Sequence, residues 1–177
     1  VYGYFGNMKE QQAPDCSCYV KEGPFVGTSK NIDFIRYADV LLFKAEALIQ
    51  MGQVDPGVTI INQIRTRAAA STQRQLDAGA TDVYNVGTYP MGLSQEEALK
   101  ALVFERRLEF GMEGPRFFDL VRWGVAEQVL NGYLAVEKTR KDFLTNAQFT
   151  AGRDEYYPIP QREIDFTGGL YDQNPGY

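Results

Sequence analysis

Two adjacent segments of this 177-residue chain repeat their apolar residues at helical spacing, and this pattern limits the possible folds more than any other feature. The first segment is residues 32–51, and the second carries its stripe at Val58, Ile61, Ile64 and Ala68. Apolar residues three and four apart lie on one face of a helix. Because only a few residues separate the segments, we expect two helices packed antiparallel as a hairpin.

The ends of both helices carry recognisable signals. Asn31 can cap the start of the first helix, and Gly52 is placed to end it in a left-handed conformation. Asp55 followed by Pro56 predicts the start of the second helix, with proline at the first helical position. These signals predict a first helix over about residues 32–51 and a second from residue 55.

Small residues fall where the two predicted helices would cross. Ala45 and Gly57, together with Leu48 and Ile61, lie at the offsets expected of a tetratricopeptide unit. Other helical hairpins also place small residues at their crossing. The pattern therefore leaves a tetratricopeptide-like repeat and an ordinary hairpin both open.

More helices are predicted further along the chain. Ser94 with Glu97 forms a capping box for a third helix. Pro115 can start a fourth helix, and a shorter helical piece follows over residues 125–130. Pro158 favours an extended path in the irregular remainder.

Together these patterns predict an all-α fold of tetratricopeptide-like hairpins with long irregular loops and an extended C-terminal tail. We expect an irregular lead-in over residues 1–30, containing at most one short strand, and a helical domain over residues 31–177. Residues 71–93 form the longest predicted connection. A loop of this length in a compact domain is functional or mobile.

Composition excludes several classes of function. The net charge of −5 argues against a nucleic-acid partner. The chain contains no histidine, which removes serine–histidine and cysteine–histidine nucleophile systems. We expect no metal and no cofactor.

Cys16 and Cys18 are separated by one residue, and a bridge that short would be strained. We expect two loop thiols without a role, the alternative being a labile redox pair.

Glu105 and Glu109 lie four residues apart, which on a helix brings their Cβ atoms to about 5–6 Å from each other. A retaining glycosidase needs two carboxyl groups at a similar separation. Glycosidase carboxylates flank a bond from two sides, however, whereas these two share one helix face. We expect Arg106 and Arg107 to hold both carboxylates ionised, so that neither acts as an acid. A structural role is therefore favoured over catalysis.

Residues 104–124 mix charged side chains with phenylalanine, leucine and tryptophan, which a solvated helix face would not do. We expect a partly buried ion-pair network between two helices, in which the planar guanidinium of arginine makes paired hydrogen bonds. The alternative is a binding site for an anionic ligand. The predicted members are Arg106, Glu109, Arg116, Asp119 and Arg122.

Tyrosines in predicted loops are the candidate ligand-binding residues. The flat face and polar tip of tyrosine suit sugar rings or peptides. Tyr84 and Tyr89 lie in the long connection, and Tyr2 and Tyr4 lie in the lead-in. Loops carry function more often than core elements do. The alternative for each of them is local packing.

Three segments together resemble the SusD/RagB family. They are RYADVLLFKAEAL at 36–48 with INQIRTRA at 61–68, FERRLEFGMEGPRFFDLVRWG at 104–124, and YYPIPQREIDFTGGLYDQNPGY at 156–177. Their order and spacing also fit, and the resemblance covers residues 31–177. Arg36 and the members of the predicted network match motif positions that look structural in the family.

The resemblance implies a tetratricopeptide-like scaffold with an irregular ligand-binding face. It implies a lipid-anchored, non-catalytic protein on the surface of the bacterial outer membrane. There it would capture oligo- or polysaccharides, or peptides in some members, beside a SusC-like TonB-dependent transporter.

Family members are much longer and begin with an acylated cysteine, whereas Cys16 follows EQQAPD, which is not a lipidation context. We therefore expect the anchor and much of the ligand site to lie outside this chain. Two other hypotheses remain. One is a tetratricopeptide-type interaction scaffold, which would end on a polar capping helix. The other is a glycoside hydrolase.

Overall fold

A computed structural model describes residues 16–29, 31, 33–71 and 84–177. Tyr2, Tyr4 and the first part of the long connection lie outside these ranges. The chain divides into two units, Val1–Glu113 and Gly114–Tyr177. Within the described residues, the regular structure comprises six α-helices, one short 3-10 helix and a two-stranded sheet. The boundary predicted at residue 30 stays a prediction.

The first unit contains an antiparallel hairpin of β1 (Tyr19–Glu22) and β2 (Phe25–Thr28), with Tyr19 opposite Thr28. The turn begins at Gly23, whose φ of 60° suits a two-residue hairpin loop. The sequence predicted one short strand at most, because a strand pair this short carries little periodicity.

A disulfide joins Cys16 to Cys18 immediately before the hairpin. The expectation of two free thiols is therefore wrong.

Three helices form the body of the first unit: α1 (Tyr37–Gln50), α2 (Val54–Ala69) and α3 (Gln95–Glu109). Their facing apolar stripes make one continuous core. Its fully or almost fully buried members are Ala38, Leu42, Ala45, Ile49, Val58, Ile61, Ile64, Ala98, Leu102 and Phe110. The predicted stripes of the hairpin are confirmed at these positions. Ile35, at the predicted start of the first stripe, is exposed, and Leu41, Leu48 and Ala68 are only partly buried.

Both helix starts in the hairpin differ from the prediction. α1 begins at Tyr37 rather than near residue 32, because Arg36 is its N-cap and has an extended backbone. α2 begins at Val54, so Pro56 is at its third position rather than its first. Proline is tolerated there because the first backbone N–H groups of a helix have no partner within the helix.

The end of α1 matches the prediction. Gly52 has a φ of 78° and follows the C-cap residue Met51. Its N–H donates to the carbonyl of Ile49, and the N–H of Gln53 donates to the carbonyl of Leu48. This is the Schellman arrangement, which satisfies two carbonyls at the end of the helix and directs the chain into α2.

The crossing of α1 and α2 depends on Gly57. A Cβ at this position would overlap Cγ1 of Ile49 and lie 2.9 Å from the carbonyl oxygen of Ala45. The two backbones therefore approach as closely as the small residues in the sequence predicted.

The capping box predicted for α3 is present. The Ser94 side chain accepts from the N–H of Glu97, and the Glu97 carboxylate accepts from the N–H of Ser94. The apolar spacing of this segment also predicts Leu108 on the buried side of the helix, but its side chain is exposed.

The second unit contains α4 (Arg116–Arg122), α5 (Ala126–Glu137), a 3-10 helix (Asp142–Leu144) and α6 (Gln161–Phe166). α5 extends seven residues beyond the predicted end at residue 130, and α6 replaces part of the predicted irregular tail. Leu120, Ala126 and Phe149 form its small core. No helix in the described parts of the chain combines the length and apolarity needed to cross a bilayer.

Candidate functional site

The last part of the long connection, residues 84–92, is held along α2, and we call it the anchored loop. The side-chain amide of Asn62 donates to the carbonyl of Tyr89 at 2.9 Å and accepts from its N–H at 2.7 Å. Asp55 accepts from the N–H of Gly92 at 2.8 Å, and Nε of Arg65 donates to the carbonyl of Gly87. Three side chains of α2 thus fix the main chain of the loop.

The two candidate tyrosines lie in different surroundings in this loop. The ring of Tyr89 is partly buried against the core of the first unit, and its centroid is 4.8 Å from the guanidinium carbon of Arg65. Burial raises the pKa of Tyr89, against the opposing effect of the Arg65 charge. Tyr84 is 38% exposed at the start of the anchored loop. Tyr84 is therefore the more accessible of the two, and ligand binding by either stays a prediction.

Glu105 is buried between α3 and α2, with its side chain 4% exposed. Its Oε2 accepts from Nη1 of Arg65 at 2.7 Å. Burial raises the pKa of Glu105 because the pairing with Arg65 offsets only part of the desolvation of the carboxylate. The expectation that Arg106 and Arg107 hold this carboxylate ionised is wrong. Glu105 faces α2, and its partner comes from that helix.

Glu109 joins three segments of the first unit. Its Oε1 lies 2.8 Å from Nη1 of Arg36, and its Oε2 lies 2.6 Å from Nη2 of Arg67. Arg36 also binds Glu113 through Nε at 2.8 Å. Burial lowers the pKa of Arg36, but the hydrogen bonds and charges of Glu113 and Glu109 outweigh it and raise the pKa overall. Both oxygens of Glu109 are thus held by arginine.

Arg106 is almost fully buried, with 1% of its side chain exposed. Its Nη1 lies 2.9 Å from Oδ1 of Asp39 on α1. Its guanidinium carbon is 4.5 Å from the ring centroid of Phe43 and 5.2 Å from that of Phe110. Arginine suits this position because its planar, weakly hydrated cation can pair with a carboxylate and stack on rings.

The second unit holds the other predicted members of the network. Asp119 is 4% exposed, and its Oδ1 accepts from Nε of Arg122 at 2.9 Å. The guanidinium carbon of Arg122 is also 4.7 Å from the ring centroid of Trp123. Arg106 and Glu109 belong to the first unit, whereas Arg116, Asp119 and Arg122 belong to the second. A single network linking all five stays a prediction.

Sequence reasoning missed the residues of α2 that organise this region. Asn62 and Arg65 are three apart and so share one face of the helix beside the buried stripe. The three-residue spacing of these two polar side chains could have predicted a face of α2 that binds another part of the chain. Within the described ranges there is no group of histidine, cysteine, aspartate or glutamate able to hold a metal ion.

The antiparallel hairpin and its close crossing at Gly57 are the geometry expected of a tetratricopeptide-like helical scaffold. The model of the SusD family matches residues 22–177. The chain belongs to the SusD family, as its three motifs predicted.

Known relatives agree with this assignment. The chain is 32% identical to SusD-like protein P2 of Formosa agariphila over 85% of its length, and 39% identical to SusD-like protein P38 of the same organism over 56%. The crystal structure of a SusD homolog from Bacteroides thetaiotaomicron superposes with a TM-score of 0.63 and 28% identity over 81% of the chain. This similarity confirms the predicted all-α, tetratricopeptide-like class.

The relatives are much longer than this chain. It spans 26% of SusD-like protein P2, 18% of SusD-like protein P38 and 26% of the solved homolog.

Proposed function

We propose that this chain is the C-terminal helical part of a nutrient-binding protein of the bacterial cell surface. In our proposal the whole protein is a lipoprotein of the outer membrane, anchored through a segment outside this chain. It captures oligo- or polysaccharides and passes them to a SusC-like TonB-dependent transporter. The observation that carries the proposal is the SusD family match over residues 22–177.

The anchored loop is the candidate contribution of this chain to ligand capture. Its main chain is fixed by Asn62, Asp55 and Arg65, so little conformational entropy remains to be lost when a ligand binds. Tyr84 offers an exposed ring for stacking on a sugar. Tyr89 lies with its ring against Arg65 and supports the loop, so we assign it the smaller direct contribution.

We propose binding without turnover. Glu105, whose raised pKa would suit an acid, has a side chain only 4% exposed and is bound to Arg65. Glu109 is 9% exposed and lies between Arg36 and Arg67. A substrate could reach either carboxylate only by displacing the arginine bound to it. The arrangement therefore supports a structural role for both, rather than the glycosidase hypothesis.

The test is oligosaccharide binding by the whole protein, measured by calorimetry, with Tyr84→Ala as the variant. We expect the affinity to fall several-fold because one stacking contact is lost. Tyr133→Ala is the matched control, since Tyr133 is also exposed but lies on α5 in the second unit. Equal affinity in Tyr84→Ala and the unmodified protein would exclude Tyr84 from the site.

Three further measurements separate the alternatives. Binding of peptides rather than oligosaccharides would identify a peptide-binding member of the family. Release of new reducing ends that disappears in Glu105→Gln would show a glycosidase. Fractionation of the whole protein into the cytosol would favour an interaction scaffold.

A further inference from the structure

The anchored loop is held to α2 in two different ways. Asn62 and Asp55 bind its C-terminal part through short side chains, so the helix backbone itself sets where their polar atoms lie. Arg65 binds the carbonyl of Gly87 through a long side chain that can adopt many rotamers. Its place on α2 therefore does not fix its guanidinium group, and a further contact is needed to do so.

Glu105 of α3 supplies that contact. Its Oε2 lies 2.7 Å from Nη1 of Arg65, and its side chain is only 4% exposed. Because a guanidinium group is planar and rigid, holding Nη1 restricts where its other nitrogens and its flat face can point. Nε then meets the carbonyl of Gly87, and the guanidinium carbon lies 4.8 Å from the ring centroid of Tyr89. One buried carboxylate of α3 thus fixes two contacts that Arg65 makes with the loop.

The next carboxylate along α3 is engaged elsewhere. Glu109 lies one turn beyond Glu105, and its two oxygens are bound by Arg36 and Arg67. Helices α2 and α3 are therefore joined by separate ion pairs. The pair that Glu105 forms continues through Arg65 into the anchored loop.

We propose that Glu105 is a positioning residue for the anchored loop and acts through Arg65. The inference rests on the proposed function, in which this loop contributes to ligand capture. Glu105 itself is too buried to touch a ligand. It raises the affinity by keeping the loop in one conformation before the ligand arrives, so that less conformational entropy is lost on binding. What it supplies is a hydrogen-bond acceptor at a fixed point, which glutamine can also supply.

The first experiment measures the mobility of a nitroxide spin label on the whole protein by electron paramagnetic resonance. The label is placed at Asn85→Cys, an exposed position in the part of the loop that Arg65 holds. Met91→Cys is the matched control, since Met91 is 53% exposed and directly precedes Gly92, which Asp55 holds.

We expect Glu105→Leu to increase the mobility of the label at residue 85 several-fold, because leucine fills the site but accepts no hydrogen bond from Arg65. The label at residue 91 should be unaffected. Glu105→Gln should leave both labels as slow as in the unmodified protein. If Glu105→Leu does not fold, Arg65→Lys gives the same comparison, because lysine keeps the charge beside Glu105 but lacks the planar set of donors.

The second experiment measures oligosaccharide binding by the unlabelled whole protein in calorimetry, well below the thermal midpoint of every variant. We expect Glu105→Leu to lower the affinity several-fold and Glu105→Gln to restore it, because the loop is held again. A general loss of stability would not lower the affinity at a temperature where every variant is folded.

The outcomes separate this inference from the proposed function. Unchanged mobility at residue 85 in both Glu105→Leu and Arg65→Lys would show that other contacts hold the loop, and would overturn the positioning role. Increased mobility at residue 91 as well as residue 85 would mean that Glu105 supports helix packing in general, which would also overturn it.

The binding measurement decides the remaining cases. If the mobility changes as expected but the unmodified protein binds no oligosaccharide, the proposed function fails while Glu105 still positions the loop. If the unmodified protein binds and Glu105→Leu binds equally well, the proposed function stands and the role of Glu105 in ligand capture is wrong.

Discussion

At the scale of single residues, Arg65 connects three parts of the first unit. It pairs with Glu105 of α3, donates to the carbonyl of Gly87, and lies against the ring of Tyr89. Its side chain is 15% exposed, so these contacts form largely away from water. Removing one partner of a buried ion pair leaves the other charge buried and unpaired. This lowers the free energy of unfolding more than replacing both partners does.

The two partners should therefore respond differently to mutation. We expect Arg65→Gln to lower the free energy of unfolding at pH 7 by about 3 kcal/mol, because the Glu105 carboxylate is left buried and unpaired. Glu105→Gln should change it by less than about 1 kcal/mol, because burial already opposes the charged form of Glu105. Urea unfolding of the two variants measures both values. Losses below about 1 kcal/mol in both variants would mean that the pair is solvated.

Residues that are local in sequence were easier to predict than residues that meet across helices. The capping of α3 by Ser94 involves neighbours in the chain, and its residue types identify it. The partner of Glu105 lies 40 residues away on another helix. Arg106 and Arg107 follow Glu105 by one and two residues, and helical side chains one or two residues apart point in different directions. Arg65 is the partner of Glu105 because α2 packs against α3, and sequence spacing alone does not show this packing.

At the scale of elements, the α1–α2 hairpin depends on the close approach at Gly57. We expect Gly57→Ala to destabilise the protein by about 2 kcal/mol, because the added methyl group meets Ile49 and the backbone at Ala45. Gly132→Ala in α5 is the control, since a Cβ there meets nothing within 4 Å. Its thermal midpoint should rise, because alanine favours a helix by about 0.5–1 kcal/mol over glycine. A stable Gly57→Ala variant would contradict the crossing geometry.

The anchored loop gives a second test at this scale. We expect Asn62→Ala to speed hydrogen exchange at the Tyr89 amide by about tenfold, because the loop loses both hydrogen bonds to that residue. Asn131 makes the same paired contact with the backbone of Phe149 in the second unit. Asn131→Ala should therefore speed exchange at Phe149 and leave Tyr89 unchanged. Unchanged exchange at Tyr89 in Asn62→Ala would show that other contacts hold the loop.

The helix boundaries show where sequence patterns stop being informative. The hairpin, its close crossing and the end of α1 at Gly52 followed from spacing and glycine placement. The start of α1 did not. Arg36 ends the extended segment there, and its side chain is held by Glu109 and Glu113, more than 70 residues later in the sequence. Ile35 continues the apolar pattern into that segment, although it is exposed.

At the scale of the whole molecule, stability depends on pH without any contribution from histidine, which the chain lacks. The pKa of Glu105 is raised, and burial is the main cause. The folded state therefore holds this proton more tightly than the unfolded state. The resulting stabilisation is fully present below the unfolded pKa, and it is lost as the pH rises through the folded pKa.

We therefore expect the free energy of unfolding to fall as the pH rises above about 4.5, the ordinary range for glutamate, and then to level off. Glu105→Gln should remove this decrease, because glutamine does not titrate. Denaturant unfolding at several pH values from 4.5 to 8 provides the measurement, with Glu96→Gln as an exposed control on the same helix. A decrease that persists in Glu105→Gln would assign it to a different group.

The way α2 holds the anchored loop has a consequence for how relatives of this protein can diverge. Asn62, Arg65 and Asp55 bind peptide groups of the loop, and a peptide group is the same whatever side chain is attached to it. Apart from Tyr89 and Gly92, whose φ of 79° favours glycine, the loop residues can therefore be exchanged without breaking these hydrogen bonds. Substitutions can change the side chains that this loop exposes, while the path of its backbone along α2 stays the same. Three polar side chains of α2 are then enough to hold loops of different sequence on the same helix.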